Sequence, residues 1–168
     1  SDAAEIFRNK IRNTNPRHDW KGSGIHEIEY YMQHVRGLGY SGGTPWKKMP
    51  LAPGPALEGK RPYIGLCNGR FKDAMWDKKE WPYFKELADT ARRYFDATII
   101  GVGQTGELNG VALDIDYTGA LEITETAKVI SQLDILVTTD TGNMHIADAL
   151  HTPMVALFGG TLLSKNAH

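Results

Sequence analysis

The chain has 168 residues, of which 41% are hydrophobic and 23% charged, a composition typical of a globular domain with a hydrophobic core. The formal net charge is −1 at pH 7, which gives no reason to expect nucleic acid or an anionic membrane surface as the main partner. No hydrophobic run approaches the roughly 18 residues of a transmembrane helix. The single cysteine excludes a disulfide within the chain and favours a reducing compartment.

The part of the chain before the first predicted strand is expected to be helical and then irregular. Ile6, Phe7 and Ile11 suggest a short early helix. Hydrophobic residues at spacings of three and four then predict an amphipathic helix over residues 25–38. Residues 39–62 are rich in glycine, proline and lysine and are predicted to be a linker.

Strands and helices alternate regularly from residue 62 onward. Hydrophobic runs and helical spacing predict strands over residues 63–67, 97–100, 111–115, 135–137 and 154–158, and helices over residues 81–94, 123–133 and 141–150. This alternation predicts an α/β fold, a Rossmann-like parallel sheet with helices on both faces. We therefore divide the chain into an N-terminal helical segment and linker, residues 1–61, and a Rossmann-like domain, residues 62–168.

A glycine-rich loop follows the second predicted strand. Gly101 to Gly106 matches the G-x-G-x-x-G pattern of dinucleotide-binding loops, which leaves an NAD-type oxidoreductase or a sugar epimerase as an alternative function. However, no long helix is predicted directly after the loop, and the loop follows the second strand rather than the first. We interpret it as a loop at the carboxyl edge of the sheet, where Glu107 is able to accept hydrogen bonds from a ribose or adenine-type group.

Metal and nucleophile chemistry have weak signals in this sequence. Asp114-Ile115-Asp116 is an Asp-x-Asp pattern that holds a divalent metal in some enzymes, but it often occurs by chance. No histidine and cysteine cluster has the spacing of zinc ligands. We predict no metal site, and we expect Cys67 to be structural, as a single cysteine beside a strand usually is.

The stretch from Asp134 to Thr161 is predicted to be a strand, a tight turn, a short helix and a second strand. In such a βαβ unit the helix N-terminus faces the carboxyl ends of the strands, where open α/β sheets bind ligands. Its backbone N–H groups and positive dipole end favour a phosphate group. Residues 140–145 are therefore predicted to bind a nucleotide or a sugar phosphate. The alternative is that Asp140 or Thr141 only caps the helix and that His145 is an ordinary polar residue.

The string DTGNMHIADAL at residues 140–150, followed by PMVALFGGT at residues 153–161, resembles glycosyltransferase family 9, the ADP-heptose:lipopolysaccharide heptosyltransferase family. Lys79-Glu80-Trp81-Pro82 is similar to a Lys-x-Trp-Pro element of that family. The helix from His26 to Gly39 also resembles one that precedes its C-terminal domain. The resemblance covers about residues 26–161 and implies the C-terminal, donor-binding half of a two-domain GT-B enzyme.

This resemblance implies a set of residues that bind the donor. Lys79 would contact its phosphates or sugar, Glu107 its nucleoside, and His145 a phosphate or sugar oxygen. Asp140 would bind sugar hydroxyls or orient the turn, and backbone N–H groups with Lys79 would neutralise the leaving diphosphate. Arg70 either clamps a phosphate or is exposed, in a loop longer than the family usually has. The full predicted set is Asn68, Lys79, Glu107, Asp140, Thr141, Gly142, Asn143, Met144 and His145.

The function implied is the transfer of a sugar, with heptose favoured, from a nucleotide diphosphate donor to a lipopolysaccharide-type acceptor. ADP-heptose is the first candidate for the donor, and the family implies an inverting, metal-independent bacterial enzyme without a cofactor. Its general base belongs to an N-terminal domain. We therefore expect residues 1–61 to be the tail of a missing domain, and the chain alone to be inactive.

A non-catalytic module that binds a nucleotide sugar is the second alternative. The expected location is cytoplasmic, at most peripheral to the inner membrane.

Overall fold

The computed structural model describes residues 27–43, 49–69 and 79–159. The chain divides into two compact units, one made of Ser1–Pro45 with Leu162–His168 and the other of Trp46–Thr161. In the first unit the structure describes one helix, α1, over Glu27–Gly37, which confirms the predicted helix. The early helix expected around residues 6–11 lies outside the described residues.

The second unit contains all the described strands and three helices. The strands are β1 (Tyr63–Cys67), β2 (Thr98–Gly101), β3 (Ile115–Asp116), β4 (Ile135–Thr139) and β5 (Met154–Leu157). The helices are α2 (Phe84–Phe95), α3 (Ile123–Ile130) and α4 (Gly142–Leu150). In the described part of the chain, no helix is both long enough and apolar enough to span a bilayer.

The five strands form one parallel sheet in the order β3-β2-β1-β4-β5. In the central strand β1, Gly65 pairs with Ile100 of β2 on one side and with Leu136 of β4 on the other. Helices cover both faces, because α2 packs with one hydrophobic cluster and α3 and α4 with another. The predicted Rossmann-like α/β fold is confirmed.

Alternation along β1 explains the two clusters. Ile64 and Leu66 pack on the face covered by α2, whose buried residues include Phe84. Tyr63 and Cys67 pack on the opposite face, against α3 and α4. Successive side chains of a strand point to opposite faces, so a wholly hydrophobic strand of five residues fits a sheet covered on both sides.

Three predicted boundaries differ from the structure by three residues or more. The strand predicted over residues 111–115 is wrong for its first four residues, because the Val111 N–H closes a turn on the Leu108 carbonyl, at 3.0 Å. The helix predicted from residue 81 begins at Phe84, and the helix predicted to residue 133 ends at Ile130. At the start of α2 and at the end of α3, the adjoining turn contains hydrophobic residues that keep the helical spacing, so the sequence pattern is longer than the helix.

The predicted linker is irregular in structure, but residues 49–61 pack on the sheet. Leu57 is buried in the core. The Met49 N–H donates to the carbonyl of Ala149 in α4 at 2.7 Å. The Lys60 N–H donates to the Thr98 hydroxyl of β2 at 2.9 Å. This stretch therefore belongs structurally to the sheet unit.

The strand order reverses direction at β1. From β1 the chain proceeds outward through β2 to β3, and then returns to place β4 and β5 on the other side of β1. In open α/β sheets, the crevice outside the carboxyl ends of the strands at such a switch point is where ligands bind. Here that crevice lies between the ends of β1 and β4.

Candidate functional site

The loops after β1 and β4 are in direct contact at the switch point. The backbone N–H of Gly69 donates to the Thr139 hydroxyl at 2.9 Å. A Cβ atom on Gly69 would overlap the methyl group of Thr141. Glycine at this position therefore allows the loop after β1 to approach the N-terminus of α4 closely.

A buried ion pair connects two of the predicted donor-binding residues. The Lys79 ammonium lies 2.8 Å from Asp140 Oδ2 and donates a second hydrogen bond to the Asp140 carbonyl, at 3.2 Å. The Lys79 and Asp140 side chains are only 12% and 5% exposed. The structure thus places the Lys79–Asp140 ion pair beside the start of α4, and Lys79 is not a solvated surface lysine.

Thr141 occupies the N-cap position of α4 in an extended conformation, but it makes no side-chain capping hydrogen bond. Its hydroxyl lies 3.2 Å from the hydroxyl of Thr138 instead, and the Asp140 carboxylate is paired with Lys79. The first turn of α4 contains no acidic residue. The Thr141 side chain therefore does not cap the helix, and the positive end of the helix dipole, about half an elementary charge, faces the crevice.

The other predicted residues of α4 differ in exposure. Met144 is buried, and its N–H donates to the Thr141 carbonyl at 3.1 Å. Asn143 is partly buried and donates its side-chain amide to the Cys67 sulfur at 3.2 Å. His145 is exposed. The α4 N-terminus therefore offers the crevice mainly backbone groups, with His145 on its solvent side.

Glu107 lies in the loop between β2 and β3, above Gly103. Gly103 has φ +126, and a Cβ atom on it would overlap the Glu107 carboxylate. Residues 103–110 form turns rather than a helix, as the sequence interpretation expected. Glycine at position 103 thus allows the Glu107 side chain to lie close to the backbone. The helix that a dinucleotide-binding fingerprint requires does not follow the loop.

Cys67, at the end of β1, is buried beneath these elements. Burial raises the pKa of its thiol, and the neighbouring Glu107 carboxylate raises that pKa further. Hydrogen bonds from Asn143, Thr141 and Thr138 oppose the shift. A thiol kept protonated is a poor nucleophile, which fits the structural role expected for Cys67.

Two clefts open on either side of Glu107 at the carboxyl edge of the sheet. One, of about 340 Å³, lies beside the N-terminus of α4, and its lining includes Leu121, Ile123 and Ile146. The other, of about 440 Å³, lies beside Trp81 and the start of α2. Both volumes are within the range of small-molecule sites, about 300–1,000 Å³.

The two carboxylates of the Asp-x-Asp pattern bind different partners. Asp114 accepts hydrogen bonds from the Ile99 N–H at 2.7 Å and from Arg92 at 3.1 Å. Asp116 accepts from the backbone and hydroxyl of Thr118 instead. Among the described residues there is no group of three or more metal-ligating side chains. Arg70 lies outside the described residues.

Two features of the site were not predicted from the sequence. Asn68 makes two side-chain hydrogen bonds to the backbone of Trp81, and Thr139 holds the backbone of Gly69. The only available signal was the polar pair Thr138-Thr139 at the end of a hydrophobic strand. The structure thus brings Asn68, Lys79, Glu107 and the α4 N-terminus to one edge of the sheet.

The fold and the site define a Rossmann-like α/β protein whose switch-point crevice gathers the predicted residues. Residues 32–165 match the model of "Glycosyltransferase family 9 (heptosyltransferase)". The chain therefore belongs to glycosyltransferase family 9, as its motifs indicated.

Two curated relatives carry heptosyltransferase names. The chain is 32% identical over 119 residues to lipooligosaccharide heptosyltransferase 2 of Haemophilus influenzae, covering 63% of this chain and 34% of the relative. It is 29% identical over 118 residues to lipopolysaccharide heptosyltransferase 2 of Escherichia coli, covering 62% and 33%. The chain spans about a third of the length of these relatives.

A solved structure supports the fold. The crystal structure of a family 9 glycosyl transferase from Veillonella parvula superposes with a TM-score of 0.67 at 19% sequence identity. The match covers 84% of this chain and 46% of that one. At this identity the likeness shows the fold alone.

Proposed function

We propose that this chain is the donor-binding part of a heptosyltransferase-type enzyme. Its reaction would transfer a sugar, with heptose favoured, from a nucleotide diphosphate donor to a lipopolysaccharide-type acceptor. The observation that carries the proposal is the buried Lys79–Asp140 pair beside the N-terminus of α4, where Thr141 makes no side-chain capping hydrogen bond. Family membership and the names of the relatives support the reaction class.

The crevice has the electrostatics that a leaving diphosphate needs. In the transfer, the acceptor oxygen bonds to the anomeric carbon of the donor sugar, and the bond from that carbon to the diphosphate oxygen breaks. The diphosphate leaves with the electron pair and gains negative charge. The Lys79 ammonium and the backbone N–H groups of Gly142 and Asn143 are already fixed where that charge would develop, which is the arrangement that stabilises a transition state electrostatically.

Asp140 supports this role through geometry. Its carboxylate holds the Lys79 ammonium at 2.8 Å, so the cation is oriented before a ligand arrives. A diphosphate would share this ammonium, whose three N–H bonds point in different directions. We therefore propose that Asp140 positions Lys79, and both roles expected for Asp140, contact with sugar hydroxyls and orienting the turn, stay predictions.

The nucleoside end fits the cleft between Glu107 and α3. Glu107 lines both clefts, and its carboxylate would accept hydrogen bonds from ribose hydroxyls. Leu121, Ile123 and Ile146 give the smaller cleft an apolar wall that suits a base. We favour ADP-heptose as the donor. The exposed His145 would approach a phosphate or sugar oxygen.

The remaining chemistry is proposed on the family resemblance. Inverting transfer needs a base to take the acceptor proton, and we place that base in an N-terminal domain outside this chain. Lys79 and the α4 dipole would supply the charge neutralisation that a metal supplies elsewhere, so no metal or cofactor is required. The residues of the crevice would bind the donor, and the enzyme would act in the cytoplasm, at most peripheral to the inner membrane.

Calorimetric titration of the purified chain with ADP, UDP, GDP and NAD tests this proposal. We expect selective binding of ADP that is weakened in Lys79→Ala and in His145→Ala. Lys60→Ala is the matched control, because Lys60 is an exposed lysine at the amino end of β2, paired with Asp96. Binding of NAD alone, or no binding of any nucleoside diphosphate, would overturn the assignment.

A further inference from the structure

Asn68, at the carboxyl end of β1, uses both ends of its side-chain amide on a single residue. Its Oδ1 accepts the Trp81 N–H at 3.0 Å, and its Nδ2 donates to the Trp81 carbonyl at 3.2 Å. Two bonds from one planar amide fix the position and the direction of the Trp81 backbone. The indole ring also packs edge-on against Phe84 of α2, with ring centroids 5.3 Å apart. Trp81 is therefore tied to β1 and to α2.

Lys79 precedes Trp81 by two residues, a distance of at most about 7 Å along an extended chain. A displacement of the Trp81 backbone is therefore passed on to Lys79. On its other side the Lys79 ammonium is held by Asp140 at 2.8 Å and is largely buried. The lysine is thus positioned from two strands, through Trp81 by the end of β1 and through Asp140 by the end of β4.

We infer that Asn68 is a positioning residue, which acts on the donor diphosphate through Lys79 rather than by touching the donor. The inference rests on the proposed function. Its physical basis is that an immobilised cation loses less conformational freedom when an anion binds than a mobile one does. It differs from the direct donor contact that the sequence predicted for Asn68, since the amide oxygen and one amide N–H already bind the Trp81 backbone.

A double-mutant cycle on the full chain tests this inference. ADP is titrated calorimetrically into wild type, Asn68→Ala, Lys79→Ala and the double variant. Residues that act through one group are not additive. We therefore expect Asn68→Ala to weaken ADP binding about fivefold in the wild-type background and less than about twofold in the Lys79→Ala background. Gln132→Ala is the matched control and should leave the affinity unchanged, because it removes a side-chain amide that donates to the Lys128 carbonyl near the amino end of β4.

Two further readouts separate positioning from general stability. The ADP affinity of Asn68→Ala should depend on salt as strongly as that of wild type, because Lys79 keeps its charge, whereas that of Lys79→Ala should depend on salt more weakly. Hydrogen exchange of the Trp81 amide, which donates to Asn68, should accelerate in Asn68→Ala without ligand. If that variant is unfolded by circular dichroism, Asn68→Ser takes its place in the cycle, because its hydroxyl is still able to accept a hydrogen bond.

The outcomes distinguish the inference from the proposed function. If wild type binds ADP and Asn68→Ala has the same effect in both backgrounds, Asn68 contacts the donor directly and the inference is wrong. An unchanged exchange rate at Trp81 would also contradict it. If wild type binds no ADP, the proposed function fails and the inference fails with it.

Discussion

Removing the carboxylate of Asp140 should destabilise this protein far more than removing the carboxylate of an exposed ion pair. In Asp140→Ala the Lys79 ammonium, only 12% exposed in the native structure, would lose the Asp140 carboxylate. Breaking a buried pair by removing one partner costs about 3–5 kcal/mol. We expect the lower end, about 3 kcal/mol, because the ammonium also donates to the Asp140 carbonyl, which the substitution retains.

The chain supplies a control with nearly the same geometry. Lys85 and Asp89 in α2 are also 2.8 Å apart, but their side chains are 64% and 53% exposed. Exposed pairs contribute little because solvent screens them, so Asp89→Ala should lower the free energy of unfolding far less than Asp140→Ala does. Urea denaturation followed by circular dichroism measures both variants. Equal losses in the two variants would refute the view that burial makes the Lys79–Asp140 pair important.

Two other predictions concern the loop and the thiol beneath it. Gly103→Ala and Gly110→Ala both place alanine at a positive φ, but only a Cβ atom on residue 103 overlaps Glu107. Both should lose about 1 kcal/mol of stability, whereas calorimetry should show ADP binding weakened about tenfold in Gly103→Ala alone; equal affinities would contradict the role of Glu107. Burial raises the pKa of the Cys67 thiol. The protonated thiol therefore contributes fully to the free energy of unfolding below the ordinary thiol pKa of about 8.5, and this contribution is lost as the pH rises above that value. Urea midpoints should therefore fall more between pH 8 and pH 10 in wild type than in Cys67→Ala, and parallel curves would exclude this effect.

The βαβ unit after residue 134 was predictable because its signals are local. A hydrophobic run, a turn with glycine and a helical spacing of hydrophobic residues each depend on neighbours in the sequence, and the structure contains β4, α4 and β5 there. Local patterns failed where tertiary packing used hydrophobic residues differently. Val111 and Leu113 have the pattern of a strand, but they pack with the α2 cluster from a loop. Leu57 lies in a stretch with linker composition and is part of the core.

The members of the site were easier to predict than their contacts. Lys79 and Asp140 were each expected at the carboxyl edge of the sheet, but 61 positions separate them. Only the strand order places the ends of β1 and β4 side by side. The same applies to Asn68 and Trp81, whose two hydrogen bonds depend on how α2 packs. No periodicity or spacing in the sequence encodes such a pair.

The central claim is that a nucleoside diphosphate binds at the switch point between β1 and β4. The most direct measurement is a titration of the isotope-labelled chain with ADP, followed by amide chemical shifts in nuclear magnetic resonance spectra, with adenosine as a second ligand. We predict that ADP shifts the amides of Gly69, Gly142 and Asn143 most, and that adenosine, which lacks the diphosphate, leaves them nearly unchanged. Shifts centred instead on the amino edge of the sheet, near Gly59 and Thr98, would contradict the claim.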